Sequence, residues 1–130
     1  MIQQSLAKFL RNNANITAAV NTIAPLMLEA DADYPAMVYY VASDERPALL
    51  NGGTSSMSRA NAEIDILAES YAKARETADI VLTEMHDYTG AFGDHFAEQI
   101  KVDGDLDTFE NAVMMYRVNL QMVIHYTQGA

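Results

Sequence analysis

Polar and apolar positions alternate most regularly near the end of the chain. From Val113 to Tyr126 every even position is apolar: Met114, Tyr116, Val118, Leu120, Met122, Ile124 and Tyr126. The odd positions include Arg117, Asn119, Gln121 and His125. A strict period of two assigns the two sets to opposite faces of a sheet. Fourteen residues at about 3.3 Å each would run roughly 45 Å, far beyond a mean strand of about 5–6 residues. A sheet dominated by this strand is predicted, with part of the strand free to pair outside its own domain. Its outward set holds amides, a histidine and one arginine, not the Lys/Glu mixture of a plain solvated face. Two readings fit that set: a surface that meets another protein, or a moderately polar solvent face.

The preceding chain divides into further elements. Ile2 to Asn12 places Ile2, Leu6, Phe9 and Leu10 on one stripe, the pattern of an amphipathic helix. Asn12-Asn13 ends it, and Asn15 is a candidate cap for a further turn through Val20. The chain becomes extended around Pro25, offering Ile23, Leu26 and Leu28 to a core, and Ala30 to Tyr34 is an acidic turn. Ala36 to Ser43 is a strand by its β-branched and aromatic content. Asp44 to Ser58, with Pro47, Gly52-Gly53 and a Ser/Thr cluster, is expected to be either a long hairpin loop or a pair of frayed strand ends, and the most mobile part of the chain. In Arg59 to Ala68, Ala60, Ala62, Ile64 and Ile66 share one face; Arg59, Asn61, Glu63 and Asp65 share the other. Ser70 is the expected N-cap of a helix over Tyr71 to about His86, with Tyr71, Ala74, Ala78, Val81, Leu82 and Met85 toward the sheet. Phe96 to Val102 is a third strand, Asp103-Gly104-Asp105 a turn, and the stretch to Asn111 irregular. The expected fold class is α+β: a mostly antiparallel four-stranded sheet with two helices on one face, in the order α-β-β-α-β-β.

At 130 residues the chain is expected to form a single domain over residues 1–130. No apolar run approaches the 18 or so residues of a membrane span, and the N-terminus does not read as a secretory signal. The absence of cysteine excludes disulfides, thiolate zinc sites and cysteine nucleophiles. A net charge of −10, with the basic residues scattered, argues against binding through DNA or RNA phosphates.

Candidate chemistry thins out on inspection. His86, His95 and His125 fall in different elements without convergent partners. Asp94-His95 with Asp87 is a weak metal candidate. Asp103, Asp105 and Asp107 open like a calcium loop, but Thr108 replaces the required glycine and Met114 the closing glutamate. Gly52-Gly53 lacks the lysine of a phosphate loop, and Ser55 and Ser56 lack a nucleophile elbow. The chain reads as a non-enzyme without cofactor or metal.

Four stretches together resemble the tail-completion or tail-terminator family of long-tailed bacteriophages, related prophages and gene transfer agents. They are Tyr34-Pro35-Ala36-Met37-Val38-Tyr39-Tyr40, the alternating Arg59 to Ala68, Glu69-Ser70-Tyr71-Ala72-Lys73-Ala74 followed by Ala78, and Tyr116-Arg117-Val118-Asn119-Leu120. The resemblance implies a structural virion protein of the tail or neck, assembled in the host cytoplasm. It further implies a ring of six copies at the head-proximal end of the tail, which ends tube growth and joins the tail to the head connector. Its partners would be further copies, the tail tube protein and the connector or stopper protein, with genomic DNA passing through unbound. On this view Asp44, Glu45, Arg46, Arg59, Arg117, Asn119, Gln121 and His125 contact neighbouring subunits or the tube, and the Asp44–Ser58 loop docks there. Some of Asp94, Glu98, Asp103, Asp105, Asp107 and Glu110 would rim the channel and repel phosphates, with plain solubility as the competing explanation. Alternatives are another neck, connector or minor tail protein, and a small cytoplasmic α+β binding module.

Overall fold

The computed structural model describes residues 1–29, 31–45, 57–111 and 114–128. Along the chain lie α1 (Ile2–Asn12), α2 (Ala14–Ala19), β1 (Thr22–Pro25), β2 (Ala36–Glu45), β3 (Ser58–Ala68), α3 (Tyr71–Met85), β4 (Gly90–Phe92), β5 (His95–Glu110) and β6 (Met115–Gln128). The class is α+β as expected, but the sheet has six strands in the order β1-β2-β3-β6-β5-β4. It is mixed: β1 runs parallel to β2, and every other pair is antiparallel. The two strands beyond the expected four, β1 and β4, span four and three residues, too short to display a period of two. A third helix also appears. Asn13, not Asn15, caps α2, accepting from the amides of Asn15 and Ile16.

One face of the sheet carries the core. Met37 and Tyr39 of β2, Ala60, Ile64 and Ile66 of β3, and Val118, Leu120, Met122 and Ile124 of β6 point the same way and are buried. Onto them pack Ile2, Leu6 and Leu10 of α1 and Ala74, Ala78, Val81 and Met85 of α3. Each large aliphatic side chain among them contributes about 1.5–3 kcal/mol on leaving water. Ser70 caps α3 as expected, its Oγ accepting from Lys73 N at 3.2 Å. Tyr71 departs from the expected core set: it is half exposed, packing edge-on against Tyr116 and donating to Asp107. Leu26, offered above to the core, is exposed instead.

The final strand does not pair outside its own sheet. β6 lies at the centre, bonded to β3 from Tyr116 to Tyr126 and to β5 from Met115 to Gln128. Its partner β5 is longer than expected, because the Asp103-Gly104-Asp105 stretch is no turn. Register shifts at Ala97/Gln99 and Val102/Gly104 leave Glu98 and Asp103 as bulge residues, and the strand continues to Glu110. Beyond the second bulge Asp105 and Asp107 face α3, where Arg75 meets both at 3.4 and 3.0 Å. Acidic residues on the inward side therefore hid the strand's alternation, since the helix answers them with a cation. The outer edge of β5 is bonded by the turn after α3 only as far as Val102, whose amide donates to His86 Nδ1 at 3.1 Å. From Asp103 to Glu110 no strand of the described residues pairs with that edge. Its carboxylates oppose chance strand addition. Of the expected docking loop, residues 46–56 lie outside the described residues; Asp44 and Glu45 end β2, and Ser58 begins β3.

Candidate functional site

The helices cover one face of the sheet and leave the other to solvent, loops or partners. Across this second face the strand register brings together Glu45 on β2, Arg59, Glu63 and Asp65 on β3, Arg117, Asn119, Gln121 and His125 on β6, and Lys101 and Glu110 on β5. At these sheet positions four carboxylates face three cations, although the whole chain carries −10. Glu29, from the connection after β1, adds a fifth carboxylate at one end of this face, so charge nearly cancels across β3 and β6 and stays negative at that end.

Part of that face is organised as a polar network. Asp65 is 3 % exposed, yet nothing in its strand requires an ionisable group there. The Arg117 guanidinium donates to it from one side, and Asn119 Nδ2 donates at 2.6 Å from the other. Asn119 also reaches Glu63 at 3.2 Å, and Arg117 reaches Glu110 at 3.3 Å. These carboxylates, led by the hydrogen bond to Asp65, raise the Arg117 pKa further. Burial, reinforced by Glu63, raises the Tyr40 hydroxyl as well. Beside the network the chain folds back over the sheet after β1. A cleft of about 380 Å³ opens there, with Leu26, Leu28 and Val38 on its apolar side and Glu29, Asp65, Glu110 and Arg117 on its polar side.

Of the expected contact residues, Glu45, Arg59, Arg117, Asn119, Gln121 and His125 do share this face. Asp44 does not; it lies on the helix side of the sheet and accepts from the Tyr126 hydroxyl. Arg46 falls outside the described residues. The six expected rim carboxylates are spread along the whole of β5 and over both faces. Asp94 binds Lys8 at 3.0 Å in the β4–β5 turn, a pairing that lowers its pKa. Asp103 lies 3.7 Å from Lys101, Asp105 and Asp107 flank Arg75, and Glu110 meets Arg117 on the opposite face. Glu98 projects from the first bulge. Asp65, Glu63 and the Leu26–Glu29 segment were not anticipated as a site. The polar face of β3 was legible, but only the β3–β6 register, Asp65 opposite Asn119, joins it to Arg117.

The histidines stay apart. His86 accepts an amide at the end of α3, His95 is buried within 2.6 Å of Ser5 Oγ, and His125 lies on the uncovered face. Among the described residues no three His, Asp or Glu side chains are grouped to hold a metal ion, and no helix is long and apolar enough to cross a membrane.

The described residues thus form a six-stranded α+β sheet backed by helices on one face and carrying a polar network on the other. The chain belongs to the family described as Tail completion protein gp17, whose model matches residues 4–127. It is therefore a tail-completion protein, a non-enzymatic structural component of phage tails. Its fold is similar to that of a chain in a virion of a native gene transfer agent particle. That match has a TM-score of 0.65 at 14 % identity, covering 97 % of this chain and 91 % of the other. No curated protein matches by sequence.

Proposed function

We propose that the chain, folded as a single domain over residues 1–130, forms a ring of six copies at the head-proximal end of the tail. There it ends tube growth and joins the tail to the head connector, with DNA passing through the centre. The observation that supports this best is the nearly neutral uncovered sheet face on a chain of charge −10. Copies of a strongly acidic protein repel one another, so association is least opposed where their charge cancels. Arg59, Asn119, Gln121 and His125, with Glu45 beside them, provide that surface, and Arg117 stands at its border with the cleft. Head-to-tail contacts of one kind close into a ring when their rotation divides a circle. Asp94, Glu98, Asp103, Asp105, Asp107 and Glu110 contribute to a negative rim that keeps DNA phosphates from adhering. Five of the six already lie against a cation of their own subunit, so the repulsion comes from the net charge of the ring more than from any one of them. Assembly takes place in the host cytoplasm.

Electron microscopy of particles produced without this gene tests the reading. Abnormally long tubes without heads are expected. Tails of normal length beside separate filled heads would move the role to head closure. Normal, infectious particles would overturn it.

A further inference from the structure

We infer that the cleft on the uncovered face is a docking site for a different protein of the particle, one that inserts an apolar side chain flanked by arginine or lysine. This goes beyond the ring and rests on the chain being built into the tail.

The Leu26–Glu29 segment carries the first part of the argument. Leu26 has a φ of +64°, and Met27 N donates to Pro25 O at 2.7 Å, closing a three-residue γ-turn around it. Such a backbone is disfavoured for a residue with a Cβ, by about 1–2 kcal/mol. Leu26 N holds the turn in place by donating to Tyr39 O at 3.0 Å. The result runs against the hydrophobic effect: Leu26 and Met27 are each 75 % exposed. A strained turn that displays two large apolar side chains beside a cleft fits a contact surface better than a connection.

Charge selects the occupant. The cleft is lined by Glu29, Asp65 and Glu110 against the single cation Arg117, and Asp31 and Asp33 follow in the same connection. Arg117 is committed to Asp65 and Glu110. The apolar side of the cleft is thus bordered by an excess of carboxylate, complementary to a basic rim on the partner. A second copy fits poorly. Five of the eight basic residues are already held within the chain: Lys8 by Asp94, Arg11 by Ile23 O, Arg75 by its three aspartates, Lys101 by Asp103, and Arg117. Another molecule carrying −10 would bring mostly carboxylates to a carboxylate-lined cleft.

Methionine provides the reporter, since exposed thioethers are oxidised by peroxide and buried ones are spared. Oxidation of Met27 is followed by peptide mass spectrometry in three samples: the dilute purified chain, the same chain concentrated until it self-associates, and purified particles. At least five-fold slower oxidation in particles alone is expected. Protection already present in the self-associated chain would show that another copy covers the turn at the edge of the cleft, overturning the inference. Equal oxidation in particles and free chain would overturn it too, while the chain's peptides in those particles would leave its place in the tail standing. Particles lacking the chain's peptides would overturn both. As a second measurement, Glu29→Lys reverses one exposed charge. It is expected to leave the melting temperature unchanged while lowering incorporation into particles severalfold, and incorporation at the wild-type level would refute the charge argument.

Discussion

Replacing Arg117 by methionine isolates the energetics of the uncovered face. The change keeps the aliphatic stem but removes the guanidinium, leaving the Asp65 carboxylate, 3 % exposed, with Asn119 as its remaining donor. Breaking a buried ion pair by deleting one partner costs about 3–5 kcal/mol. Arg117 retains 34 % side-chain exposure, so water partly reaches the pair and roughly 2–3 kcal/mol is expected here. For a chain of 130 residues that corresponds to a melting temperature lower by about 6–15 °C. Thermal and urea unfolding followed by circular dichroism would measure it. The double variant Asp65→Asn/Arg117→Met removes the stranded charge and should recover about half of the loss or more. A loss below about 0.5 kcal/mol would refute the placement of a buried carboxylate in the network.

Further substitutions test other parts of the molecule. Gly93 has a φ of +58°, and a Cβ there would lie 2.5 Å from Ser5 Cα of α1; Gly93→Ala should cost about 2–4 kcal/mol in urea unfolding. Asp107 has its pKa lowered chiefly by the Tyr71 hydroxyl, with desolvation opposing and Arg75 adding to the lowering. A depressed carboxylate adds stability above its ordinary pKa and loses it as pH falls through the lowered value, so Asp107→Asn should flatten the loss of stability below about pH 4 in the unfolding midpoint. Ile64 is fully buried on β3, and Ile64→Ala should cost about 2–5 kcal/mol by calorimetry.

The strands legible in the sequence were those whose faces differ in polarity. β6 and β3 alternate apolar and polar side chains, and α1 and α3 show their stripes, so their placement followed from period alone. β5 failed the same test beyond Val102. Its two bulges shift the phase, and Asp105 and Asp107 point inward because Arg75, thirty or so positions earlier in the chain, waits for them. β1 and β4 are held by tertiary pairing and leave no periodic trace. The uncovered face was half legible: its polar residues were visible strand by strand, but the pairing of Asp65 with Arg117 depends on a register no local pattern encodes. The turn at Leu26 was hidden for a related reason, since a leucine in sequence reads as core and only its backbone places it outside.

The strand order also governs when the chain can fold. β6 follows every other element in the sequence yet occupies the middle of the sheet, between β3 and β5. Until it emerges, β2 with β3 and β4 with β5 are separate fragments, each with an unpaired edge and half a core. Joining them requires Ser58–Ala68 to meet Tyr116–Tyr126 across more than forty intervening residues, a contact whose loop-closure entropy slows folding. Completion of the sheet is thereby tied to the emergence of β6, and the polar network that spans β3 and β6 is not formed before that strand is available.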